Sequence, residues 1–95
     1  AGDALTDADT NVAVGIGAIG TDTLGGSAVA IGSFALGAQN FTTATTNYNV
    51  AVGQSAGGSV TTGTGNVLIG GNAGNLTTLL QTGTNNTLRE VDQIQ

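Results

Sequence analysis

Hydrophobic residues along this chain fall into short, evenly separated bursts. Four of them align without gaps: Asn11-Val-Ala-Val-Gly-Ile-Gly-Ala18, Ala28-Val-Ala-Ile-Gly-Ser-Phe-Ala35, Asn49-Val-Ala-Val-Gly-Gln-Ser-Ala56 and Asn66-Val-Leu-Ile-Gly-Gly-Asn-Ala73. The second position is always Val (Val12, Val29, Val50, Val67) and the fourth is Val or Ile (Val14, Ile31, Val52, Ile69). The fifth is always Gly (Gly15, Gly32, Gly53, Gly70), and the eighth is always Ala (Ala18, Ala35, Ala56, Ala73). The motifs start at 11, 28, 49 and 66, so the steps are 17, 21 and 17 residues, and a degraded fifth copy opens 20 residues on at Asn86. A fixed unit with a variable connection is the mark of a repeat architecture.

Each burst is β-branched and alternates, so its bulky pair points one way and the central Ala or Leu68 the other. A helix is disfavoured, because Gly recurs inside every apolar segment at about 1 kcal/mol each. Both faces of these strands are apolar, as in strands buried on both sides. One face is expected to line the interior of the repeat, and the other to meet a neighbour. The recurring Gly permits a positive φ where the strand turns a corner, and the Ala three residues later suits a narrow interior. Stacking would align Asn11, Asn49 and Asn66 in a row able to form an amide ladder; Ala28 interrupts it. A parallel β-solenoid or β-roll, hence an all-β fold, is the expected class. Residues 1–10 read as an acidic cap or lead-in and 11–87 as the repeats. Residues 88–95, where Leu88, Val91 and Ile94 approach helical spacing, read as a polar cap or the start of a helix.

Composition sharpens this picture. Gly, Thr, Ala and Asn fill 55 of 95 positions, and Val, Leu, Ile and Phe together supply 23. The core is therefore thin, and crude accounting for a small single chain comes out near zero, so self-association is expected. The net charge is −5, with Arg89 as the one cation, which argues against nucleic acid. Asp3, Asp7, Asp9 and Asp22 precede a stretch from Thr23 to Leu88 that carries no formal charge; Arg89, Glu90 and Asp92 follow it. Charges at the two ends would protect open sheet edges. No apolar run reaches the ~20 residues of a membrane-spanning helix, and the charged start of a signal peptide is missing. A chain that begins at Ala1 is expected to be a processed product or a piece of a longer one.

The chemistry on offer is sparse. His, Cys, Pro, Met, Trp and Lys are all absent, so imidazole bases, thiol nucleophiles and the usual zinc sites are unavailable. Ser27, Ser33, Ser55 and Ser59 have no base to activate them, and no catalytic residue, cofactor site or metal site is assigned. Gly15-Ile-Gly17-Ala-Ile-Gly20 matches a dinucleotide fingerprint, but no helix former follows it, no acid lies between Asp22 and Glu90 to hold a ribose, and Gly15 belongs to the repeat. Asp7-Ala-Asp9-Thr-Asn11 looks like the opening of a calcium loop, yet Ala18 stands where the bidentate Glu is required. These acids read as solvated charge, with a weak cation site at Asp7, Asp9 and Asn11 as the alternative. Thr-x-Thr pairs at 21/23, 43/45, 62/64 and 82/84 suggest an ice-binding array, but their offset from the motif Gly varies from 6 to 12 residues; turns are the better reading. The sequons at Asn40, Asn75 and Asn85 are expected by chance in an Asn/Thr-rich chain.

The Asn-Val-Ala-Val-Gly-x-x-Ala pattern over about residues 11–88 resembles two kinds of repeat. One is the Asn-x-Ala-x-Gly array of bacteriophage tail fibres and virion appendages; the other is the head repeat of trimeric autotransporter adhesins. The resemblance implies a homotrimer of parallel β-rolls in an elongated fibre, located on the virion surface or outside the cell. Its partners would be itself, other fibre or virion proteins and a host-surface glycan or protein, without nucleic acid or membrane insertion. The 17-to-21-residue steps with Thr/Gly-rich connections are closer to the virion arrays than to the shorter, more regular adhesin heads. The family pattern marks scaffold positions, so it transfers no receptor-binding residue.

Overall fold

The structure is a computed structural model that describes residues 1, 2, 6, 10–74 and 82–89. All regular structure among them is strand: β1 (Val12–Val14), β2 (Gly25–Gly26), β3 (Val29–Ile31), β4 (Thr45–Thr46), β5 (Val50–Val52), β6 (Val67–Ile69) and β7 (Thr87–Arg89). Each motif contributes one strand to a five-stranded sheet of order β1-β3-β5-β6-β7. Every pair is parallel and keeps the motif in register, Val12 beside Val29, Val29 beside Val50, Val50 beside Val67 and Val67 beside Thr87. The fifth copy, barely recognisable in sequence, thus takes its place beside β6. Leu88 and Arg89, assigned from the sequence to a cap or helix start, belong to β7; residues 90–95 lie outside the described residues.

The corner after each strand follows one backbone pattern. Gly15, Gly32, Gly53 and Gly70 have φ of 115° to 133°, beyond the left-handed well that other L-residues reach. Space excludes a side chain as well: a Cβ on Gly32 would lie 2.5 Å from the Gly53 carbonyl oxygen, and one on Gly15 2.7 Å from the Gly32 carbonyl carbon. Three further positions per repeat are left-handed with smaller φ. One precedes the motif (Thr10, Ser27, Tyr48, Gly65, Asn85), one is its seventh residue (Gly17, Phe34, Ser55, Asn72) and one its ninth (Ile19, Leu36, Gly57, Gly74), with φ of 47° to 73° throughout. That well is open to L-residues at a cost of about 1–2 kcal/mol, so these columns vary in sequence while the fifth does not. Gly2 shares the ninth position's conformation, and its N–H bonds to the Ala18 carbonyl as that of Ile19 does to Ala35.

The interior is narrow and combines an apolar cluster with five fully buried polar side chains, Asp22, Gln39, Asn47, Asn49 and Asn66. Ala18, Ala35, Ala56 and Ala73 are fully buried, with Ala30, Ala51 and Leu68 from the strand centres and Ile19, Leu36 and Val60 between them. Volumes compensate between columns. Where the ninth position carries Ile19 or Leu36, the strand centre is Ala; at Gly57 the vacated space is filled by Leu36 and Leu68, whose methyls would lie 2.7 and 3.0 Å from a Cβ placed there. Large side chains are thus shared out along the stack, as close packing demands.

The 21-residue step departs from the others in a defined way. β2 and β4 pair in parallel, Gly25 beside Thr45 and Gly26 beside Thr46, whereas Val29 pairs with Val50. Ser27 and Ala28 therefore oppose Asn47, Tyr48 and Asn49, a one-residue bulge. The other three additional residues lie before β4, in a segment read from the sequence as plain loop. Phe41 anchors it, only 5% exposed, while Thr42, Thr43 and Ala44 form an exposed tip.

Candidate interaction face

The Asn row predicted from the sequence exists, but it works differently. Its side chains bond to backbone of the following repeat rather than to one another. The Asn11 amide donates to the Gly25 carbonyl at 2.9 Å, and its oxygen accepts from the Ala28 N–H at 2.9 Å. Asn49 does the same with Gly63 and Asn66, at 2.8 and 2.9 Å, and Asn66 with Gly83 and Asn86, both at 3.0 Å. Each Asn is a staple between consecutive repeats. The glycines three residues before the next motif (Gly25, Gly63, Gly83) are the sequence signal of its acceptor.

Ala28 cannot make such a staple, and Asn47, the inward-facing residue of the bulge, replaces it. The Asn47 amide donates to the Gly26 carbonyl at 2.8 Å, and its oxygen accepts from the Asn49 N–H at 2.9 Å. The same gap is bridged from its other side.

Asp22 corrects an expectation. Placed by sequence among the charges that would protect an open sheet edge near the chain start, it is fully buried. Its carboxylate accepts from the Gly25 N–H at 3.2 Å, the Phe41 N–H at 2.9 Å and the Gln39 amide at 2.8 Å. The Gln39 oxygen in turn accepts from Asn49 at 2.9 Å. A buried carboxylate is costly unless hydrogen-bonded, and here three N–H donors converge on it. Among the described residues no buried side-chain nitrogen or oxygen lacks a partner. Asp3, Asp7 and Asp9 lie outside the described residues, and with them most of the cation-site alternative; the Asn11 side chain is engaged as a staple. No group of three His, Cys, Asp or Glu able to hold a metal occurs among the described residues, and no helix there is long and apolar enough to cross a membrane.

With the interior satisfied, the outer side of the five-stranded sheet stands out. Its two central columns are Val12, Val29, Val50 and Val67, then Val14, Ile31, Val52 and Ile69, with Thr87 and Arg89 at the register positions of the fifth strand. In the single chain this face is partly open to solvent: Val14 is 55% exposed and Ile31 40%, while Val29, Val50, Val52 and Val67 are half-buried. Ile16 and Phe34 extend it past the strand ends, and Tyr48 flanks the strand starts between buried Asn47 and Asn49. Among the described residues, the seven large apolar ones that are most exposed, at 40 to 78%, all belong to this face or its flanks. Together they present on the order of 500 Å² of apolar surface, at the upper end of the largest patch on an ordinary monomer. The repeat positions Asn11 to Ala73 singled out from the sequence are thus divided between staple, corner, interior and this face. No protein-family model, curated protein or solved structure matches the chain.

Proposed function

We propose that this chain is a non-enzymatic structural segment of a homotrimeric fibre, a bacteriophage tail fibre or other virion-surface appendage that supports host attachment. The observation that carries this reading is the exposed Val/Ile face on strands whose other side, at Ala30, Ala51 and Leu68, is fully buried. Regular one-strand-per-repeat pairing supports a parallel β-solenoid or β-roll, and three such faces turned inward would bury the apolar columns along a common axis. Hydrophobic burial at about 25 cal/mol per Å² would then supply stability that an Ala-rich interior lacks. The polar groups inside are engaged in holding backbone, which favours a scaffold over a catalyst. The rod would transmit position, with other virion proteins at its ends and a host glycan or protein as its target.

Native mass measurement on the 95-residue chain tests the assembly: three 9.1 kDa chains are expected, and a stable single chain would overturn it. The adhesin-head reading shares this architecture, and an outer-membrane anchor encoded downstream would decide for it. Ice binding loses support, because Thr45 pairs with Gly25 instead of a second threonine.

A further inference from the structure

Three exposed side chains are not explained by the Val/Ile columns themselves. Ile16 is 78% exposed, Phe34 53% and Tyr48 68%. The first two occupy the strand-end flank of the outer face, the Phe34 ring lying over Gly17 of the preceding repeat. Tyr48 occupies the strand-start flank, where its neighbours in the column are Thr10, Ser27, Gly65 and Asn85. Each flank therefore carries aromatic bulk at one height only, at the second repeat on one side and at the start of the third on the other.

Resting on the trimer reading, we infer that Phe34 and Ile16 of one chain pack against Tyr48 of the next, forming a three-fold aromatic clamp around the fibre. In a cyclic assembly of parallel chains every contact is heterologous, so the surfaces that meet are different patches of the same chain. With the sheet faces turned to the axis, the strand ends of one chain adjoin the strand starts of its neighbour. Phe34 closes the second repeat and Tyr48 opens the third, so their backbones differ in height by one strand spacing, ~4.8 Å, a step that two long side chains can span. Charge is compatible: the chain is net −5, yet nothing from Thr23 to Leu88 is charged, so identical copies meet here without repulsion. Area is compatible too, since face and flanks present on the order of 500 Å² of apolar surface, the size of patches that mark contacts between proteins.

The chain has no Cys, no Trp and one Tyr, which makes the test direct. A Phe34→Cys/Tyr48→Cys double variant treated with a short bismaleimide should give a covalent ladder ending at three chains, while each single variant stays uncrosslinked. In the unaltered chain, acrylamide should quench Tyr48 fluorescence at least threefold less than it quenches free N-acetyltyrosinamide, with the difference vanishing in denaturant. A species of three-chain mass in which Tyr48 quenches like the free amide overturns the clamp and leaves the trimer standing. If the double variant fails to fold, quenching of the unaltered chain decides. A one-chain mass removes both the trimer and the clamp.

Discussion

Gly53 and Ser55 both have positive φ, yet substitution should affect them very differently. At Gly53, φ is 131° and a Cβ would lie 2.6 Å from the Gly70 carbonyl. Gly53→Ala should therefore cost at least about 2–3 kcal/mol, combining backbone strain with displacement of the next repeat. Ser55, at 58°, sits in a well that glycine also fills readily, so Ser55→Gly should stay within about 1 kcal/mol. Urea denaturation at a fixed chain concentration measures both, and equal costs would refute the distinction. The same method separates the staples. Asn49→Ala removes three buried hydrogen bonds and leaves partners unsatisfied at about 1–3 kcal/mol each; a loss of 3 kcal/mol or more is expected. Asn11→Ala, which removes two part-buried bonds, should cost less. The fixed Gly, the small Ala and the Asn row were legible because each recurs at a constant offset. Asp22 was not, since its partners Gln39 and Phe41 lie 17 and 19 residues away and converge only through stacking.

At the scale of elements, the bulge between β4 and β5 is the informative departure. It exists where the Asn row fails, and it supplies Asn47 to bridge the same two repeats. Asn47→Ala should thus be clearly destabilising although Asn47 lies outside the repeated motif, but less so than Asn49→Ala, because it removes two side-chain bonds instead of three. Ala28→Asn alone should destabilise, because Asn47 occupies the space its amide would need. Introduced into the Asn47→Ala background, it should recover part of the loss. A double-mutant cycle reads this as non-additivity, and simple additivity would refute the compensation. Strand order and register were readable from the motif spacing alone. The bulge was not, because a step of 21 residues does not say where its four additional residues go.

For the whole molecule, the decisive feature is the contrast between the two sides of one sheet. Val52 faces outward and Ala51 inward, one residue apart. Val52→Lys should leave the strand spectrum by circular dichroism intact while shifting the native mass from three chains to one. Ala51→Lys should abolish the fold, since an unpaired charge cannot be buried in so narrow an interior. If Val52→Lys remains a trimer, the Val/Ile face is not the contact. Sequence indicated that both strand sides are apolar, and the structure distinguishes the side filled by the chain itself from the side left open.

Repetition creates a hazard of its own. Four strands with nearly the same sequence could pair with a next-but-one neighbour almost as well as with the correct one, so the backbone ladder alone guards poorly against slippage. The cluster around Asp22 occurs once. Skipping a repeat would separate the carboxylate from Gln39 and Phe41 and leave it buried without donors, at a cost of several kcal/mol. The most irregular residues in the chain thereby act as a key that tells its regular ones which neighbour to choose.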